Sequence, residues 1–150
     1  MRSKNIFKAK KILITWANGF IGSSTLRALL QKKYDVRCLL RSSSDLHRIK
    51  SLKYESVIGD VCDFSSVLKA MRGCDGVIHL AGISSWEQQR KYAHMLDHVI
   101  VDGARNILEA SRVCGVKKIV VVSSAAAING SYLQKIFTEK SHYSLFWRAR

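Results

Sequence analysis

The stretch Lys11-Ile-Leu-Ile-Thr-Trp-Ala-Asn-Gly-Phe-Ile-Gly22 decides the fold. Lys11–Thr15 is a short run of β-branched residues and leucine, the composition of a buried strand. After a tight turn, Phe20, Ile21, Leu26, Leu29 and Leu30 recur at helical spacing within Gly19–Gln31. A strand, a turn and a helix in this order leave the first N–H groups of the helix unpaired, with a partial positive charge at its start. Such an end seats a pyrophosphate. Glycines let the backbone bend sharply and let phosphates come close to it. The usual turn carries three; Gly19 and Gly22 hold two of those places, and Trp16 stands in the first.

Outward from this unit, strand-like and helix-like segments alternate. Asp35–Leu40 reads as the second strand, Ser44–Leu52 as a short helix capped by Ser or Asp, and Tyr54–Ile58 as the third strand. Asp63 is placed to cap a helix running through Arg72, with Val67, Leu68 and Met71 on one face. Gly73–Gly76 makes a turn into a fourth strand, Val77–Ala81. A long helix is expected over Gln89–Cys114, closed by Gly115, and a fifth strand over Lys117–Ser123. This alternation implies parallel strands joined by right-handed crossovers. Ile119-Val-Val-Val122 is continuously apolar, as expected of a strand buried on both faces. Beyond Gly130 the pattern dissolves into an irregular tail, residues 131–150.

The chain has 150 residues, 47% of them hydrophobic, which suits one domain with a real core. No apolar run approaches the roughly 20 residues of a membrane span. The basic start, Met1 to Lys11, lacks the apolar stretch of a signal peptide. The expectation is a soluble, cytoplasmic protein without membrane contact. The net charge is +14, from 25 basic and 11 acidic residues. These charges are scattered in pairs such as Lys32-Lys33 and Lys117-Lys118, with no aromatic-interleaved stripe, so a solvated basic surface is expected rather than a nucleic-acid interface. Cys38, Cys62, Cys74 and Cys114 form no CxxC pair and fall in hydrophobic segments. They read as buried free thiols, and the histidines have no metal-ligand spacing.

Three further motifs accompany the turn. Thr15-Trp-Ala-Asn-Gly-Phe-Ile-Gly22 resembles the TGxxGxxG turn of the short-chain dehydrogenase/reductase superfamily, and its GFIG ending resembles the extended branch of NAD(P)-dependent epimerases, dehydratases and reductases. Gly59-Asp-Val61 with Asp63 is similar to the stretch after the third strand that meets adenine. His79-Leu-Ala-Gly82 resembles the HxAG motif beside the nicotinamide ribose, and Val122-Ser-Ser-Ala125 the end of the fifth strand, which bears the catalytic serine. Within that branch, Tyr34–Arg37, Gly73–Val77 and Ser123–Asn129 are similar to dihydroflavonol-4-reductase-like members, and Ala125 stands where epimerases often carry Ser or Thr. The resemblance covers about residues 10–130.

It implies a Rossmann-type, doubly wound parallel α/β sheet of about five strands. The expected NAD(P)-binding domain spans 1–150, with no C-terminal substrate domain. It also implies site residues. Gly19, Phe20, Ile21 and Gly22 would hold the pyrophosphate, Asp60 and Val61 the adenine, Leu80, Ala81 and Gly82 would lie beside the nicotinamide ribose, and Thr15, Asn18 and Ser123 would also bind the cofactor. Ser124 would polarise a substrate oxygen. His79, in a buried strand, reads as a packed core histidine rather than a base. Arg41, followed by three serines, stands at the end of the second strand, where an acidic residue would bind a ribose 2′-hydroxyl. A guanidinium among hydroxyls suits a 2′-phosphate, so NADP is expected over NAD.

The chain departs from the family in three places. Trp16 replaces a glycine. Ile100, in Ile100-Val-Asp-Gly-Ala104, stands where an Asn is common. Relatives use a Tyr with Lys four residues later as acid/base; none of Tyr34, Tyr54, Tyr92, Tyr132 and Tyr143 has Lys at that offset. The chain ends about where that pair would fall, so no turnover is expected from it alone. A reductase domain acting on a carbonyl or alcohol is the leading reading. Alternatives are a non-catalytic NADP-sensing or protein-binding module and part of a nucleotide-sugar epimerase or dehydratase.

Overall fold

The computed structural model describes residues 10–80, 82, 96, 98–123, 138, 140 and 141. Among these residues there are five strands: β1 (Lys11–Thr15), β2 (Asp35–Leu40), β3 (Glu55–Ile58), β4 (Gly76–His79) and β5 (Lys118–Val121). The α-helices are α1 (Phe20–Gln31), α2 (Phe64–Met71) and α3 (Gly103–Val113); one π-helical turn, His98–Asp102, leads into α3.

The strands form one parallel sheet in the order β3-β2-β1-β4-β5. Ile12 of β1 faces Val36 of β2 on one side and Gly76 of β4 on the other. The chain winds outward from β1 to β3, then crosses back to lay β4 and β5 on the far side. This is the doubly wound α/β arrangement expected from the alternation. The two windings part at the C-terminal ends of β1 and β4, and ligands of open α/β sheets bind in the crevice at such a point.

Alternation along the strands divides the core. Ile12, Ile14, Val36, Cys38 and Leu40 face one layer with Leu26 of α1 and Ile49. Leu13, Leu39 and Val77 face the other with Val67, Ala70 and Met71 of α2 and Ile107 and Ala110 of α3. β1 is therefore buried on both sides, which its unbroken apolar run requires.

The helix ends follow their local chemistry. Asp63 caps α2 by accepting the N–H groups of Ser65 and Ser66. α3 closes with Val116 N–H on the Ser111 carbonyl, 2.9 Å, and Gly115 N–H on that of Arg112, 3.3 Å, with Gly115 at φ +67°. α1 closes the same way, but Lys33 holds the left-handed place at φ +60°.

Several expectations are corrected. Ser44–Leu52 forms turns rather than a helix. The Asp45 carboxylate takes the N–H and ring of His47, and Arg27 donates to the Arg48 carbonyl at 2.7 Å, engaging groups that a helix would use within itself. Among the described residues, the long helix is α-helical at Leu96 and over Gly103–Val113, and is interrupted between them by the π turn His98–Asp102. Its β-branched run Val99-Ile100-Val101 lies in the wider π turn, and its expected start at Gln89 lies outside the described residues. β5 is shorter than expected, and Ile119, Val120, Val121 and Val122 are exposed because, among the described residues, β5 is the outermost strand and pairs only with β4. Of the cysteines, Cys38 and Cys74 are buried, but Cys62 is exposed and Cys114 half-buried. The tail expected after Gly130 lies almost wholly outside the described residues.

Candidate functional site

The turn between β1 and α1 shows what each of its three special positions does. Trp16 has φ +56°, in the left-handed region that favours glycine. Its neighbours Thr15 and Ala17 are fully buried, so the backbone here is fixed from both sides. Gly22 packs α1 onto the end of β1. A methyl group at Gly22 would lie 2.1 Å from the Trp16 carbonyl oxygen and 2.9 Å from Ala17 Cα, and only glycine fits. Gly19 is the N-cap of α1, and its N–H donates to the Trp16 carbonyl at 3.2 Å. A methyl group at Gly19 would lie 3.1 Å from Trp16 Cδ1 and 3.4 Å from Nε1. The indole edge therefore rests on the face of Gly19 that a dinucleotide turn keeps bare for the pyrophosphate.

Among the described residues no side chain caps the start of α1, and its first turn holds no acidic residue. Its leading N–H groups are thus left for an anion. Phe20 and Ile21, the first residues of the helix, are 77% and 58% exposed beside this end.

Arg41 follows β2 and projects toward the same turn. Its guanidinium lies 6.0 Å from the centroid of the Trp16 ring, a cation–π distance. The Arg41 backbone N–H donates to Ser44 Oγ at 3.1 Å. Asn18 Nδ2 donates to the Asp45 carbonyl at 3.1 Å, tying the phosphate turn to the loop that carries Arg41.

After β3, Gly59 abuts Ser66, whose Cβ would be 2.6 Å from a methyl group there. Ser66 Oγ accepts the Asp60 N–H at 3.0 Å and donates to the Asp60 carbonyl at 2.8 Å. The Asp60 carboxylate accepts the Cys62 N–H at 2.9 Å, a local turn bond. Val61 is fixed from α3: its carbonyl accepts Asn106 Nδ2 at 2.9 Å, and its side chain lies against Gly103. None of Ser66, Asn106 and Gly103 stood out in the sequence, because each acts through a contact between distant segments.

At the crevice floor, Thr15 and His79 meet across β1 and β4. Thr15 Oγ1 and His79 Nδ1 are 2.9 Å apart, and Thr15 Oγ1 also accepts the Leu80 N–H at 3.1 Å. His79 is 3% exposed, and burial pushes its pKa below the ordinary imidazole value, so it stays neutral. It is a core histidine that ties the two strand ends together, as its position in a buried strand suggested. Gly82 is half-buried beyond β4, and Ser123 is exposed just past β5. Ala81 and Ser124 lie outside the described residues. Ile100, in the π turn, is exposed.

The crevice thus gathers Thr15, the β1–α1 turn, Arg41 and the Leu80 backbone at the C-terminal ends of the central strands. Its donor set fits a dinucleotide: an uncapped, glycine-packed helix start for a diphosphate and a cation at the end of β2. One side chain, the Trp16 indole, lies on the approach.

Comparison with known proteins agrees with this geometry. The model of the NAD dependent epimerase/dehydratase family matches residues 12–147. The chain is 33% identical over 125 residues to cinnamoyl-CoA reductase 1 of Oryza sativa subsp. japonica, covering 79% of this chain and 35% of the relative. It is 31% identical over 142 residues to dihydroflavonol 4-reductase of Gerbera hybrida, covering 89% of this chain and 38% of the relative. It therefore spans little more than a third of the length of these relatives. A short-chain dehydrogenase/reductase superfamily protein from Agrobacterium tumefaciens, solved with bound NAD, superposes with a TM-score of 0.64 at 29% identity, over 79% of this chain and 34% of that one. The parallel sheet, the glycine-packed turn and the match over nearly its whole length agree: the chain belongs to the NAD dependent epimerase/dehydratase family.

Proposed function

We propose that this chain is the NADP-binding part of a reductase that interconverts a carbonyl and an alcohol. The observation that carries the reading is the pairing of the phosphate turn with Arg41, a cation in the place where an acidic side chain would repel a 2′-phosphate. When bound, the nicotinamide would supply or accept hydride. Gly19, Gly22 and the first N–H groups of α1 would hold the diphosphate, with Thr15 and Asn18 fixing the turn. Arg41 would read the 2′-phosphate. Asp60 and Val61 would line the adenine, with the Asp60 carboxylate already engaged by Cys62. Leu80, Ala81, Gly82 and Ser123 would border the nicotinamide ribose, and Ser124 would hold the substrate oxygen. No Tyr in these 150 residues has a Lys four positions later, so the chain binds the dinucleotide without itself supplying that acid/base pair.

Calorimetric titration with NADP⁺ and NAD⁺ tests this. NADP⁺ should bind at least tenfold more tightly, and Arg41→Glu should reverse the order. Equal affinities in the unaltered chain would remove the case for Arg41.

A further inference from the structure

We propose that Trp16 gates the dinucleotide site: its indole, seated on Gly19 and stacked against Arg41, must swing out before a diphosphate can reach the start of α1. This rests on the dinucleotide reading above. Three observations converge on one side chain. The backbone of Trp16 holds φ +56° between two fully buried residues, so the main chain is fixed and only the indole can move. The indole edge lies on Gly19, 3.1 Å from where a methyl group would stand. Its ring faces the Arg41 guanidinium at 6.0 Å.

The two surfaces that hold the indole are the two that the ligand needs. The diphosphate requires the bare face of Gly19, and the 2′-phosphate requires the free guanidinium. Indole and dinucleotide therefore exclude each other, and apparent affinity falls by the fraction of molecules in which the indole is out. An indole seated in about nine molecules of ten would weaken binding about tenfold, or 1.4 kcal/mol. A ligand with a 2′-phosphate breaks the stack by offering Arg41 a stronger partner. One without it has to displace the indole with no such exchange, so the gate sharpens the preference for NADP over NAD.

The test compares the unaltered chain with Trp16→Gly and reads binding rather than turnover. Glycine is the residue that the left-handed backbone favours, so the substitution suits the fold. Calorimetry with NADP⁺ should give a dissociation constant at least tenfold lower for W16G. A second measurement keeps Trp16. In a chain with the other tryptophans replaced, W86F/W147F, the emission of Trp16 should shift to the red as NADP⁺ is added, with the calorimetric midpoint. Equal affinities for the two chains, or tighter binding by the unaltered one, would overturn the gate and leave the dinucleotide reading standing. No binding of millimolar NADP⁺ by either chain would overturn the dinucleotide reading and the gate with it.

Discussion

Replacing Trp16 by glycine and, separately, by alanine turns the left-handed backbone at this position into a stability difference of predictable sign. Both variants lose the same indole contacts with Gly19 and Arg41, so those losses cancel between them. The difference left is conformational. At φ +56° the Cβ of alanine crowds the following carbonyl oxygen, at a cost of roughly 1–2 kcal/mol that glycine escapes. Glycine loses more freedom on folding, which returns about 0.4–1 kcal/mol. The glycine variant should therefore be the more stable by about 0.5–1 kcal/mol. At an ordinary helical or extended position alanine wins by a similar amount, roughly 0.5–1 kcal/mol, so the sign alone is diagnostic. Urea unfolding followed by far-ultraviolet circular dichroism resolves it: with a slope near 1.5 kcal/mol per molar, the glycine midpoint should lie roughly 0.5 M above that of alanine. An alanine midpoint equal to or above that of glycine would mean that residue 16 is not in left-handed backbone. The account of why the family keeps glycine there would then fail for this chain.

Gly22→Ala would push a methyl group to 2.1 Å from the Trp16 carbonyl oxygen, between backbone atoms that cannot yield cheaply. Thermal or urea unfolding should register a loss of about 1–3 kcal/mol, and NADP⁺ binding should weaken as α1 is forced off β1. Thr15→Val keeps shape but removes the hydroxyl shared by His79 and the Leu80 N–H; about 1–3 kcal/mol of stability should go, and Thr15→Ser should restore most of it. Burial depresses the folded-state pKa of His79, so the unfolded chain binds the extra proton below its ordinary value near 6.5. The contribution of His79 to stability is complete above about pH 6.5 and is lost as pH falls toward the depressed value; His79→Gln should flatten that part of a stability–pH curve.

Much of this fold is legible in the sequence because it is encoded locally. The apolar run Lys11–Thr15, the cap Asp63 and the stop Gly115 each act through their own segment, and each lies where its chemistry dictates. The readings that failed depend on partners distant in sequence. Ser44–Leu52 has helix-like composition, but Arg27 takes the Arg48 carbonyl from across the α1 layer. The run Ile119–Val122 reads as doubly buried because apolar composition says nothing of a strand's place in the sheet, and β5 is outermost among the described residues. At the site, the glycine positions are visible as letters, while the work of Ser66 against Gly59 and of Asn106 on the Val61 carbonyl is not. Trp16 is legible as a departure, but that its indole rests on Gly19 and faces Arg41 emerges only from the fold.

The most direct measurement is an amide ¹H–¹⁵N correlation spectrum of the labelled chain titrated with NADP⁺. The account predicts saturable shifts concentrated at Gly19, Phe20, Ile21, Gly22 and Arg41, spreading to Asp60, Val61 and Leu80. Absence of shifts at millimolar ligand, or shifts gathered instead on the exposed face of the π turn and α3 around Val101 and Leu108, would contradict it.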